Sequence, residues 1–302
     1  MSLQLLFDAL SLGGIYAIAA LGIALIFGVM QLVNFAHGQF IACAVFALIL
    51  PSSQAVAELG LGRLPTPLLI PVILGFGAAL ALLAEAAVFR PLRNAAPVAL
   101  MVASFALGVA LQNLLLVIYG SRPKAVSLWA GLGHPVQIGG AQVPLLQLLV
   151  IAAVALILAG LALMLKHSRI GLEMRAAAQD FGMARLLGVR ANRVISGAFA
   201  LSGALAAVVA LVMVAQTGVA DVRMGGQIML VAFIATVLGG MGSLAGAVAA
   251  GFAIGATSAL LQMALPAEAR PFRDAFLYGL VILVLLFRPQ GLFAPAGAKP
   301  RV

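Results

Sequence analysis

The chain has 302 residues, of which 64% are apolar and 8% charged, with 17 Lys and Arg against 8 Asp and Glu and a net charge of +9. An ordinary soluble domain carries about 25% charged residues, so these few charges cannot cover the surface of a soluble protein this long, and the bilayer must be the solvent. The basic excess does not point to nucleic acid, because six of the 17 cations sit between Lys166 and Arg193, between apolar stretches, where they mark membrane topology.

A helix needs about 20 mostly apolar residues to cross about 30 Å of hydrocarbon. That criterion predicts spans at 9–29, 68–89, 98–119, 144–165, 194–215 and 244–264. Shorter apolar runs at 36–50, 227–239 and 275–288 are interrupted by Gly and polar residues. Broken or re-entrant segments are allowed where the backbone lines a cavity or is buried in protein. The expected fold class is all-α, a polytopic transmembrane helical bundle of about eight to ten membrane segments, forming one domain over 1–302. The first apolar stretch has no Lys or Arg before it and no small-residue cleavage site after it, so it is expected to be retained. The single cysteine, Cys43, lies in an apolar run and reads as a packing residue.

Loop charge assigns sides. Arg90-Pro91-Leu92-Arg93, the segment 166–193 and the tail from Arg288 with Lys299 and Arg301 are basic and are expected in the cytoplasm. The stretches 51–67, 120–143 and 216–226 then fall outside, as does 265–274 if 227–239 crosses fully. The orientation of the N-terminus stays open, because it depends on whether 31–50 crosses or folds back.

No G-x-x-x-x-G-K-[ST] run is present, so no phosphate-cradling loop is expected, and any ATP-derived energy must come from other subunits. Gly239-Gly240-Met241-Gly242-Ser243 comes nearest but lacks the Lys. Gly242, Gly246, Gly251 and Gly255 are read as helix-packing positions, since small residues four apart let backbones approach within lipid. His37, His134 and His167 are far apart and none has a second His or Cys at ligand spacing, so no metal and no catalytic residues are expected. Among acidic residues only Glu85 falls inside a predicted long span, where it is expected to pair with Arg90 or Arg93 or reach the interface.

Two clusters carry information. Gln31-Leu32-Val33-Asn34-Phe35-Ala36-His37-Gly38-Gln39 interrupts two apolar runs; it is either a broken helix aimed at a polar solute or an interfacial turn in which Asn34 caps the next helix. Glu173 to Val189 has helix-forming composition punctuated by Gly182 and Gly188. Met174, Phe181, Met183, Leu186 and Leu187 give it apolar surface, which suits either a docking partner or packing on its own bundle.

Gly13-Gly14-Ile15-Tyr16-Ala17-Ile18 through Phe27-Gly28-Val29-Met30 and Asn34-Phe35-Ala36-His37-Gly38 resembles the N-terminal signature of the LivH-type permeases of branched-chain amino acid ABC transporters. Arg175-Ala176 through Asp180 to Leu186-Leu187-Gly188-Val189 resembles that family's ATPase-docking loop. Phe287-Arg288-Pro289-Gln290-Gly291-Leu292-Phe293 resembles its C-terminal signature. The loop keeps Glu173 and adjacent alanines but not the strict Glu-Ala-Ala order of many ABC importers. The resemblance implies a multi-pass protein of the bacterial inner membrane that binds no cofactor itself. Its implied partners are a second related permease, two cytoplasmic ATPase subunits that use ATP, a periplasmic substrate-binding protein and membrane lipid. Asn34, Phe35, His37 and Gly38 are the expected substrate-pathway residues; the resemblance carries the docking role over to the loop as a segment, within which Glu173, Arg175, Ala177, Asp180, Gly182, Leu187 and Gly188 are the expected ATPase-coupling positions. Branched-chain or related amino acids are the implied cargo. Urea or short amides are the alternative, followed by an ion-coupled secondary carrier and last by a membrane-embedded enzyme.

Overall fold

Apolar length dictates most of the architecture. The computed structural model describes residues 2–52, 54–138 and 141–293; Lys299 and Arg301 lie outside the described residues. The six predicted long spans correspond to α1 (Ser2–Met30), α3 (Thr66–Ala84, continued by a π turn at Glu85–Phe89), α4 (Pro97–Tyr119), α5 (Leu145–His167), α8 (Ala191–Thr217) and α10 (Leu244–Ala264). The three short runs correspond to α2 (His37–Ala47), α9 (Met224–Gly239) and α11 (Arg273–Phe287). Two further helices, α6 (Arg169–Gln179) and α7 (Phe181–Leu186), occupy the basic loop. Helix α1 begins before the predicted residue 9 because Asp8, which interrupts the apolar run, is held by Gln147 at 2.9 Å.

Depth of burial separates core from periphery. The most apolar stretches of α1 and α8 are 83% and 72% buried, whereas those of α4 and α5 are 17% and 22% buried and face outward. Helix α1 packs on α8, α9 and α10, which makes it the axis of the bundle. Small residues permit these approaches. Gly255 meets the backbone of Gly13, and a Cβ on Gly251 would stand 2.5 Å from the Cα of Ala17. Gly77 of α3 and Gly203 of α8 touch in the same way. Gly242 departs from the packing expected of it: it sits in the α9–α10 turn at φ +99, and a Cβ there would meet nothing within 4 Å. The turn requires that left-handed conformation, while Gly246 closes the hairpin against Gly239.

The bundle has two distinct ends. At the basic end Arg93 bonds Asn192 and Glu85, Gly28 of α1 lies against Ala178 of α6, and the Leu292 N–H donates to the Leu238 carbonyl at 2.7 Å. At the far end β1 (Lys124–Ala125) pairs with β4 (Val219–Ala220), and β2 (Pro135–Ile138) pairs with β3 (Ala141–Pro144). Single bridges join Ile49 to Leu59 and Val56 to Ala125. Lys124 is buried there and donates to the carbonyls of Ser52 and Gln54.

The start of α1 lies at the far end, because Gln147 at the start of α5 donates to Asp8 and Gln216 at the end of α8 donates to Ser11. Residues 31–47 therefore carry the chain back from the basic end. Helices α1, α3, α4, α5, α8, α10 and α11 and the segments 31–47 and 216–239 each connect the two ends, within the expected range of segments. The stretch 216–226 is not wholly at the far end, since Gly225 packs on Gly38 inside the bundle.

Tyr119 ties α4 to α2. Its hydroxyl donates to the Phe46 carbonyl at 2.9 Å and its ring lies 4.7 Å from that of Phe46. Tyr119→Phe removes the bond and keeps the ring, so an expected loss of about 1 kcal/mol should appear as a small drop in melting temperature of the purified protein.

Candidate functional site

The site is built on an interruption. Helix α1 stops after Met30, and Gln31 takes φ 55, the left-handed conformation that commonly ends helices. With 11 residues, α2 rises about 16 Å, too short to cross the hydrocarbon alone. Its first turn starts within the bundle, and the segment 31–36 reaches that point in non-helical form.

Backbone polar groups at such depth need partners. The Ala36 N–H donates to Asn34 Oδ1 at 3.0 Å, the Phe35 N–H to Ser104 Oγ of α4 at 3.2 Å, and the His37 N–H to the Asn34 carbonyl at 3.3 Å. His37 Nδ1 lies 3.0 Å from Ser202 Oγ of α8. Its ring fills the notch over Gly22, where a Cβ would stand 2.5 Å from Cε1. Asn34 and His37 are both fully buried.

Phe35, Gly38 and Gln39 face the other way. With Gly108 and Gln112 of α4 and Phe233 of α9 they line a cavity of about 260 Å³. Gly226 opens the α9 side of it. Two of the sequence-predicted pathway residues, Phe35 and Gly38, thus lie on the wall. Asn34 and His37 stand behind it and hold the break in shape. Gln112 and Gly226 are wall residues that the sequence motifs do not single out; Gln112 is a carboxamide within an apolar span, and a polar residue there is itself a signal. Among the described residues the wall carries no ionisable side chain. Its carboxamides can hydrogen-bond a solute while its aromatic rings and Met229 contact apolar groups. The first turns of α2 and α9 both border it, and helix N-termini favour negative charge.

The basic loop folds into two capped helices. Ser168 accepts the Gly171 N–H at 3.0 Å to start α6, and Asp180 accepts the Met183 N–H at 2.9 Å to start α7. Met174, Ala177 and Ala184 are buried, with Met174 Cε against Gly197 of α8. Leu172, Met183, Leu186 and Leu187 are exposed, the last two 83% and 79%. Arg175, Gly182, Leu187 and Gly188 therefore lie on the outer surface. Ala177 serves packing and Asp180 serves as a cap, while Glu173 is half-buried. Among the described residues no three His, Cys, Asp or Glu gather as a metal site.

The profile for the permease component of branched-chain amino acid transport systems matches residues 5–285. The chain belongs to this permease family. It is 32% identical over 300 residues to the high-affinity branched-chain amino acid transport system permease protein BraD of Pseudomonas aeruginosa, covering 96% of this chain and 95% of that protein. Identity to LivH of Escherichia coli K12, a permease protein of the same description, is 31%, covering 96% and 94%. The probable branched-chain amino acid transport permease protein LivH of Methanocaldococcus jannaschii is 29% identical, covering 97% and 91%. No solved structure matches. This permease is a multi-pass membrane protein whose role is translocation, and the matched residues 5–285 include the break, the cavity wall and the basic loop.

Proposed function

We propose that this permease forms one half of the translocation pathway of an ATP-driven importer of branched-chain amino acids in the bacterial inner membrane. The basic end faces the cytoplasm and the far end the periplasm, a placement supported by the grouping of cationic loops. A second permease completes the pathway, a periplasmic binding protein delivers the solute, and two ATPase subunits supply the energy.

The observation that carries this reading is the cavity at the break. Its neutral wall of Phe35, Gln39, Gln112 and Phe233 suits a solute with an aliphatic side chain, and the nearby starts of α2 and α9 favour a carboxylate. The test is ATP-dependent uptake by the reconstituted assembly from a panel of branched-chain amino acids and short amides. Gln39→Leu is expected to lower branched-chain amino acid uptake about tenfold, the effect of one lost hydrogen bond to a charged group, with the assembly intact. Unchanged uptake in Gln39→Leu and Gln112→Leu together would remove the cavity from the pathway. Inertness toward all the amino acids with uptake of an amide would move the cargo to that class.

The outer face of α6 and α7 is the proposed ATPase contact. Leu186 and Leu187 are exposed apolar side chains on an arginine-bearing surface, the composition of an interface centre. Leu187→Asp should leave the melting temperature of the isolated permease unchanged and weaken ATPase co-purification by about 2 kcal/mol, or about 30-fold. Full retention of the ATPase by Leu186→Asp/Leu187→Asp would move the contact elsewhere.

A further inference from the structure

A second and larger cavity, of about 590 Å³, opens at the far end between α1, α5, α8 and α10, and it shares no lining residue with the cavity at the break. Its polar wall comprises Gln4, Asp8 and Ser11 of α1, Gln147 of α5, Gln216 of α8 and Gln262 of α10. That gathers four carboxamides and a carboxylate from four helices, in a chain with 8% charged residues. Among the described residues no Lys or Arg lines it, although Arg273 bonds Gln262 from behind the wall.

The hydrogen bonds within the wall give it a polarity. Gln147 Nε2 donates to Asp8 Oδ1 at 2.9 Å, and Gln216 Nε2 donates to Ser11 Oγ at 2.7 Å. Each amide spends an N–H on another wall residue, and the carbonyl oxygens of both, with the Asp8 carboxylate oxygen that Gln147 does not engage, remain as acceptors for an occupant. Gln262 is the reverse. Its Oε1 accepts from Arg273 at 2.8 Å, which leaves its amide nitrogen as a donor. A carboxylate with carbonyl acceptors matches a group that carries positive charge and several N–H donors, and an amide donor nearby matches an anionic oxygen on the same molecule.

We propose that this cavity binds the ammonium group of a zwitterion, with Asp8 as counter-ion, the Gln147 and Gln216 carbonyls as further acceptors, and Gln262 as donor to the anionic oxygen. Two sources carry that chemistry: a free α-amino acid and the headgroup of an ethanolamine phospholipid at the membrane surface. The proposal stands apart from the transport reading, because binding here requires no turnover.

The test uses the full-length permease. Its retention of phosphatidylethanolamine against phosphatidylcholine, whose quaternary headgroup has no N–H, is measured by native mass spectrometry after release from mixed nanodiscs. Radiolabelled leucine binding is measured in parallel in phosphatidylcholine nanodiscs. Asp8→Asn keeps the side-chain shape and is expected to weaken the bound species about tenfold, the loss of one charge-assisted bond. Gln4→Glu adds a second carboxylate to the wall and is expected to tighten binding, and it remains informative should Asp8→Asn fold poorly. Ethanolamine-lipid preference identifies the lipid source, and leucine binding sensitive to these two variants identifies the amino acid. Absence of both, or binding indifferent to both variants, overturns the proposal. Leucine binding that responds to Gln39→Leu alone belongs to the cavity at the break and, without lipid preference, also overturns it.

Discussion

Gly38→Val is expected to abolish uptake and to lower stability by about 3 kcal/mol or more, the upper end for overpacking a tight contact. A Cβ at Gly38 would run into the Gly225 carbonyl and stand 2.6 Å from the Met229 Cβ, and a Cβ at Gly225 would run into the Gly38 carbonyl. Backbone is met on both sides, so no side chain can turn away to make room. The two short helices α2 and α9 make their tightest backbone approach at this pair, and the cavity lies beside it. Gly226→Ala provides the contrast, because nothing lies within 4 Å of its Cβ position. The thermal midpoint of Gly226→Ala should stay within about 0.5 kcal/mol of the parent. Equal melting of Gly38→Val and Gly226→Ala would show that the helices do not meet in this way.

Glu85→Ala is expected to cost about 3–5 kcal/mol, the penalty for stranding one member of a buried ion pair. Glu85 is buried with one carboxylate oxygen on Arg93 and the other accepting from Ser196 Oγ at 3.1 Å. Arg93 also donates to Asn192, so one guanidinium joins the end of α3 to the start of α8. Glu85→Gln keeps the volume and an acceptor for Arg93, and its amide N–H can donate to the Ser196 hydroxyl, so it should cost less. Thermal unfolding of Glu85→Ala, Arg93→Ala and the double variant gives the coupling. Additive losses would reduce the pair to two unrelated packing effects.

Much of the framework is legible in the chain alone. Apolar length sets the long spans, and the cationic stretches that group at one end are those singled out by charge. The pairing of Glu85 with Arg93 is one of two that its position allows. Orientation within the break is another matter. Asn34 and His37 turn inward because Ser202, far along the chain, receives the His37 ring and Gly22 leaves a notch for it. That docking rotates α2 so that Gly38 and Gln39 meet the cavity instead. Gln112 and Gly226 join them only through the packing of α4 and α9, which no local pattern encodes. The direction of α1 likewise rests on Gln147 and Gln216 reaching it from other helices. Gly242 and Gly246 share a spacing with Gly251 and Gly255, yet spacing alone does not tell a turn from a helix.

Holding the break by side chains has a mechanical consequence. The Phe35 N–H is tethered to α4 through Ser104, and His37 is tethered to α8 through Ser202. A rigid-body shift of α4 against α8 therefore strains a single hydroxyl contact at each tether, worth about 1 kcal/mol, and leaves every helical ladder intact. Residues 31–36 carry no helical ladder of their own, so such a shift would load these side-chain contacts before it loaded any helix.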